Sequence, residues 1–96
     1  MTNSDYKDLC ETIKYGHEIE FTYNNIKYVL QPEVSDGGCW LVIWDMSENG
    51  QRLCKFEIDE HKSVPNEVIE AIINEKCFDG KSFLDIADEI IVDWVY

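Results

Sequence analysis

No apolar run in this chain of 96 residues approaches the roughly 20 needed to cross a bilayer as a helix. The polar start, MTNSDYKD, lacks the basic opening and apolar centre of a secretion signal, so a cytoplasmic protein is the expectation. Cysteine pairs of diagnostic spacing are also missing. Cys10, Cys39, Cys54 and Cys77 contain no C-x-x-C and none of the density of a secreted disulfide scaffold. They read as reduced, buried small side chains, with a disulfide or a zinc site as the alternatives. Basic residues are scarce: eight Lys and Arg stand against twenty Asp and Glu, for a net charge of −12. That balance repels nucleic acid and anionic membranes and leaves a basic protein as the compatible partner. The excess is uneven, with nine acids and five bases in residues 1–56 and eleven acids and three bases in 57–96.

Signatures of chemistry are absent as well. Asp45 to Gly50 imitates the first half of a calcium loop, but Phe56 stands where a bidentate Glu is needed, and the flanks read as strands. His17 and His61 sit beside acids with no Cys or His at ligand spacing, and read as solvated imidazoles. No motif surrounds any cysteine as it would a nucleophile. Glu18 and Glu20 on a strand face should stay ionised, and Gly37-Gly38 opens no phosphate-binding helix. No enzyme, cofactor or metal is expected.

What the chain does have is 45% hydrophobic and 12% aromatic residues, enough for one folded domain spanning 1–96. The stretch Gly38 to Ile58 carries two apolar runs around Ser47-Glu48-Asn49-Gly50, the signal of a central β-hairpin. Alternation puts Cys39, Leu41, Ile43, Cys54, Phe56 and Ile58 on a core face. Trp40, Val42, Trp44, Leu53, Lys55 and Glu57 share the other face, expected to lie under a helix of the same chain or against a partner. Residues 18–31 form a second hairpin around Asn24-Asn25, opposing Tyr23 with Ile26, Phe21 with Tyr28 and Ile19 with Leu30. Pro32 is expected to end that strand.

Helical spacing of Tyr6, Leu9, Cys10 and Ile13 predicts a helix over 5–15, capped by Ser4 and closed by Gly16. Pro65 opens a second helix with Val68, Ile69, Ile72 and Ile73 as its stripe, and Asp79-Gly80 marks a turn. Ser82 and Asp85 form a capping box for a last helix, on which Phe83, Ile86, Ala87, Ile90, Ile91 and Trp94 keep helical spacing. The fold class is therefore α+β: an N-terminal helix, a four-stranded antiparallel meander and two C-terminal helices.

On that last helix Asp85, Glu89 and Asp93 fall four residues apart with Asp88 alongside, an acidic edge that imitates a phosphate row. Eight residues rise about 12 Å, over which duplex DNA would display about seven charges. One helix is too dilute for mimicry. Asp59, Glu60, Glu67, Glu70, Glu75 and Asp79 would have to share its surface.

The pieces EIEFTYNNIKY (18–28), CWLVIW (39–44) and FDGKSFLDIADEI (78–90) resemble a class of small, uncharacterised acidic proteins of Gram-positive bacteria and their phages and mobile elements. In that class a Y-N-G-type hairpin precedes a D-G-K-[ST]-L-x-[DE]-I-W-like helix. Ala87 stands here where tryptophan is frequent, and Asn25 where glycine is. The resemblance implies a fold and, through phage proteins of the anti-CRISPR or anti-defence type, an inhibitor acting as a DNA mimic. The expected function is a non-enzymatic protein-binding module that occupies a basic nucleic-acid-binding surface, touching neither nucleic acid nor membrane itself. Its candidate contacts are Asp59, Glu60, Glu67, Glu70, Asp85, Asp88, Glu89 and Asp93, with Trp40 and Trp44 as aromatic anchors. The alternative is a small structural or regulatory subunit that homodimerises or docks through Trp40, Val42 and Trp44.

Overall fold

The computed structural model describes residues 3–35, 37–47, 50–59 and 62–96, and of Asn3 the backbone alone. The expectations for Glu48, Asn49, Glu60 and His61 lie outside the described residues. The elements in chain order are α1 (Asn3–Lys14), β1 (Ile19–Tyr23), β2 (Ile26–Ser35), β3 (Gly38–Asp45), β4 (Arg52–Ile58), α2 (Asn66–Asn74), α3 (Phe83–Ile86) and β5 (Ile91–Val95). The class is α+β, and the sheet has five antiparallel strands in the order β4-β3-β2-β1-β5.

Both hairpins follow their turn chemistry. Asn24 and Asn25 take φ of 55° and 65°, the double left-handed turn whose twist suits a two-residue connection. The register is then Tyr23 with Ile26, Phe21 with Tyr28 and Ile19 with Leu30, as alternation requires. In the β3–β4 pair Cys39 opposes Ile58, Leu41 opposes Phe56 and Ile43 opposes Cys54, after which a bulge shifts Trp44 onto Arg52. The bulge corrects one assignment. Leu53, expected beside the tryptophans, turns to the core, and Arg52 reaches the tryptophan face instead.

Pro32 does not end β2, which runs on to Ser35. Tyr23 and Ile26 close the hairpin as a hydrogen-bonded pair, so Tyr28, Leu30 and Pro32 aim their backbone donors toward β1. Because β1 stops opposite Leu30, the donor that Pro32 lacks would have met no ladder partner.

Helices α1, α2 and α3 pack on one face of the sheet. Ile13 of α1, Ile69, Ile72 and Ile73 of α2, and Phe83 and Ile86 of α3 join Phe21, Leu30, Leu41 and Ile43 in a single buried cluster. Phe21 is its centre, stacked on Tyr28 at 5.5 Å and edge-on to Phe83 at 5.1 Å. Helix α1 begins before Ser4, so Ser4 is not its cap. Its end is as expected, with Gly16 at φ 77° and the amides of Gly16 and His17 returning to Ile13 and Thr12. Among the described residues no helix covers the Trp40/Val42/Trp44 face, although Val29 and Val42 on it are buried.

The largest departure is at the C-terminal end. The capping box forms, with the Asp85 amide donating to Ser82 Oγ at 3.2 Å and the Ser82 amide to Asp85 Oδ2 at 2.9 Å. Helix α3 then stops after Ile86, and Ile91–Val95 pairs with β1 as a fifth strand. The physical reason is composition. Ile90, Ile91, Val92 and Val95 are β-branched and Trp94 and Tyr96 aromatic, all residues that lose side-chain freedom on a helix and suit a pleated surface.

Candidate functional site

Strand β5 is the most exposed apolar segment described. Ile91, Val92, Trp94, Val95 and Tyr96 are each 51–66% exposed. Its inner edge pairs with β1: Thr22 opposes Ile91, Phe21 opposes Val92, and after a bulge at Asp93, Glu20 opposes Trp94 and Ile19 opposes Val95. Among the described residues no strand pairs with its outer edge. The bulge sorts the side chains. Val92 and Val95 turn to the helix side, whereas Asp93 accepts a hydrogen bond from Thr22 Oγ1 at 2.7 Å on the opposite face. Trp94 lies on that same face, stacked with Tyr96 at 6.2 Å. The Tyr96 amide donates to the Glu18 carbonyl at 2.8 Å, and His17 Nδ1 binds the Tyr96 carbonyl.

On the helix side, β5, α1 and the segment around α3 enclose a groove of about 320 Å³. Leu9, Ile19, Phe83, Ile90, Val92 and Val95 make its apolar wall, and Asp5, Asp8 and Asp88 stand at its rim. The lining includes acids and no bases. Such a site suits an apolar side chain carried beside positive charge.

The tryptophan face is built differently. Trp44 Nε1 donates to Glu33 Oε1 at 2.7 Å, Arg52 donates to Glu33 Oε2 at 3.0 Å, and Ser35 Oγ donates to the same carboxylate at 2.8 Å. Burial alone would raise the Glu33 carboxyl, but the hydrogen bonds from Ser35, Trp44 and Arg52 outweigh it and hold the group below its ordinary range. Trp40 Nε1 donates to the Ser35 carbonyl at 2.8 Å, with the Lys55 ammonium 4.3 Å from its ring. Both indoles are thus half-buried and engaged within the chain.

The candidate acids do not gather. Asp85 caps α3 and meets Lys76 at 3.3 Å, with its carboxyl held low chiefly by the Ser82 backbone and side chain. Asp88 and Glu89 lie in the turn after α3, so no helix aligns Asp85, Glu89 and Asp93. Glu67 and Glu70 are exposed on α2, on the helix side of the sheet, whereas Asp93 is on the other face. Asp59 follows β4 at one edge of the sheet and Asp93 is on β5 at the other, four strand spacings or about 19 Å across the sheet and further still along it.

Compared with protein-family models, with curated proteins and with solved structures, the chain gives no significant match.

Residues missed from sequence are Val92 and Val95, with Leu9 and Phe83 behind them. The signal was present in the β-branched run Ile90-Ile91-Val92 (IIV), of which Ile90 and Ile91 also satisfy helical spacing. No described helix is long and apolar enough to cross a membrane.

Proposed function

We propose that the chain is a non-enzymatic protein-binding module, which takes an extended basic segment of its partner as a sixth strand along the outer edge of β5. The observation that carries this reading is a strand with apolar side chains exposed on both faces and no strand on its outer edge among the described residues. Main-chain hydrogen bonds would supply affinity, and alternate side chains of the guest would enter the groove beside Val92 and Val95. The positive charge of the guest answers Asp5, Asp8 and Asp88 at the rim and the net −12 of the chain. A second copy is a poorer guest. Two β5 edges paired about Asp93 would place like charges side by side between two strongly acidic chains. Basic segments of nucleic-acid-binding proteins have the required chemistry, and an inhibitor of such a protein would act by occupying that segment.

The test uses extended peptides that alternate Val with Lys or Val with Glu, titrated into the full chain and followed by amide resonances and the Trp94 indole N–H resonance. Tyr96 donates inward to Glu18, so by strand alternation the Val95 N–H points outward. The Lys peptide is expected to shift residues 91–96 and the groove, to bind more weakly as salt rises, and to lose binding in Val95→Pro. The Glu peptide should not bind. Shifts confined to the Trp40/Trp44 face, binding by neither peptide, or dimerisation of the free chain in light scattering would overturn the reading.

A further inference from the structure

Cys54 and Cys77 meet on the helix side of the sheet, brought together by packing rather than by sequence. Cys54 is on β4 opposite Ile43, Cys77 lies in the turn after α2, and their sulfurs are 4.0 Å apart with the Cys54 thiol donating to Cys77. Both are free and half-buried. The other two thiols are placed otherwise. Cys39 sits opposite Val34 and Ile58, four residues along β3 from the partner of Cys54 and so about 13 Å away. Cys10 is on α1 beside the Tyr6 hydroxyl.

We propose that Cys54 and Cys77 are an oxidisable dithiol site that closes to a reversible disulfide with a small disulfide oxidant of the glutathione class. The Cys77 thiolate attacks one sulfur of the oxidant, forming a mixed disulfide and expelling one small thiolate, which takes up a proton. Cys54 then gives up its proton and attacks the Cys77 sulfur, forming the internal S–S bond and expelling the second small thiolate. Two protein thiols are oxidised, one disulfide is reduced, and the two thiol protons end on the released small thiols. The hydrogen bond sets the order of attack. By accepting it, Cys77 is held below the usual thiol range, whereas giving the same bond, together with burial, pushes Cys54 up. Once Cys77 is capped, that bond to its thiolate is gone and Cys54 is released to resolve. The closed bond would staple the turn after α2 onto β4.

The test equilibrates the intact full-length protein in reduced and oxidised glutathione at rising oxidising ratio, then alkylates free thiols and maps them by mass spectrometry. The expected product has lost two hydrogens, is bridged only between Cys54 and Cys77, keeps Cys10 and Cys39 alkylable, and reverts with a dithiol reductant. Its melting temperature should rise by several degrees. Cys54→Ser should accumulate glutathione at Cys77, and Cys77→Ser should leave Cys54 largely unmodified. Four alkylable thiols across the whole range, a bridge through Cys10 or Cys39, or equal modification of the two single variants would overturn the assignment.

Discussion

Thr22 holds Asp93 across the β1–β5 pair, hydroxyl to carboxylate at 2.7 Å, and this bond fixes how the last strand presents itself. With Asp93 pulled to the face opposite the helices, Trp94 follows it there and Val95 returns to the groove beside Ile19. One bulge therefore gives β5 an aromatic side and an aliphatic side.

Thr22→Val should loosen that strand while leaving the core as it is. The replacement keeps the shape of the side chain and removes the donor to Asp93. Amide exchange at residues 91–96 is expected to quicken roughly two- to fivefold, the size of effect one modest hydrogen bond produces. Exchange at Leu30, Leu41 and Ile43 should stay the same. Uniform acceleration across the sheet would mean that β5 does not open on its own.

Glu33 is the hub of the tryptophan face, and its removal should be felt in stability. Glu33→Ala removes the carboxylate that accepts from Trp44 Nε1, the Ser35 hydroxyl and Arg52, and the indole N–H and hydroxyl so deprived should cost about 1–3 kcal/mol in urea unfolding. The pH dependence has a definite sign. The folded carboxyl titrates below its ordinary 4.5, so the unfolded chain binds the proton first as pH falls. The Glu33 contribution is complete well above 4.5 and is lost as pH drops below about 5 toward the lowered folded value. A Glu33→Gln variant should show a shallower loss of stability through that window than wild type.

Ser82 is buried, with 4% of its surface exposed, and anchors a helix of only four residues. Ser82→Ala removes the acceptor for the Asp85 amide and should cost about 1 kcal/mol. The loss should reach the aromatic cluster as well, because α3 holds Phe83 edge-on to Phe21. Ring-current shifts of Phe21 resonances in the variant would report it, and unchanged shifts would confine the effect to the cap.

The parts of the fold legible from sequence were those fixed by local rules. Two adjacent Asn residues at a hairpin, Ser82 with Asp85 at a helix start and Gly16 at a helix end each impose one geometry, and each is found. The C-terminal strand was not legible, because Phe83, Ile86, Ile90, Ile91 and Trp94 satisfy helical spacing while Ile90 to Val95 satisfies strand composition. The contest is decided by β1, whose free edge opposite Phe21 and Thr22 lies far away in sequence. The covering of the tryptophan face was undetermined for a similar reason. Strand alternation assigns Trp40 and Trp44 to one face and does not say on which face α1 and α2 will pack. The expected acidic edge fell with the helix that carried it, and the unpaired outer edge of β5 came into view only through pairing.

Asn25 is where the turn chemistry can be tested most cleanly. Its φ of 65° lies in the left-handed region, where a Cβ costs energy that Asn partly recovers through its short polar side chain. Asn-Gly is the preferred pair for this turn, so Asn25→Gly should keep the register of Tyr23 with Ile26 and leave stability unchanged or raised by a few tenths of a kcal/mol. Asn25→Ala has the Cβ without the polar side chain and should lose about 1 kcal/mol. A β-branched residue should lose more, because its stiffness at χ1 adds to the backbone strain. Thermal melts of the three variants give the order directly, and an Asn25→Gly variant less stable than Asn25→Ala would show that the turn is not held in the left-handed conformation in solution.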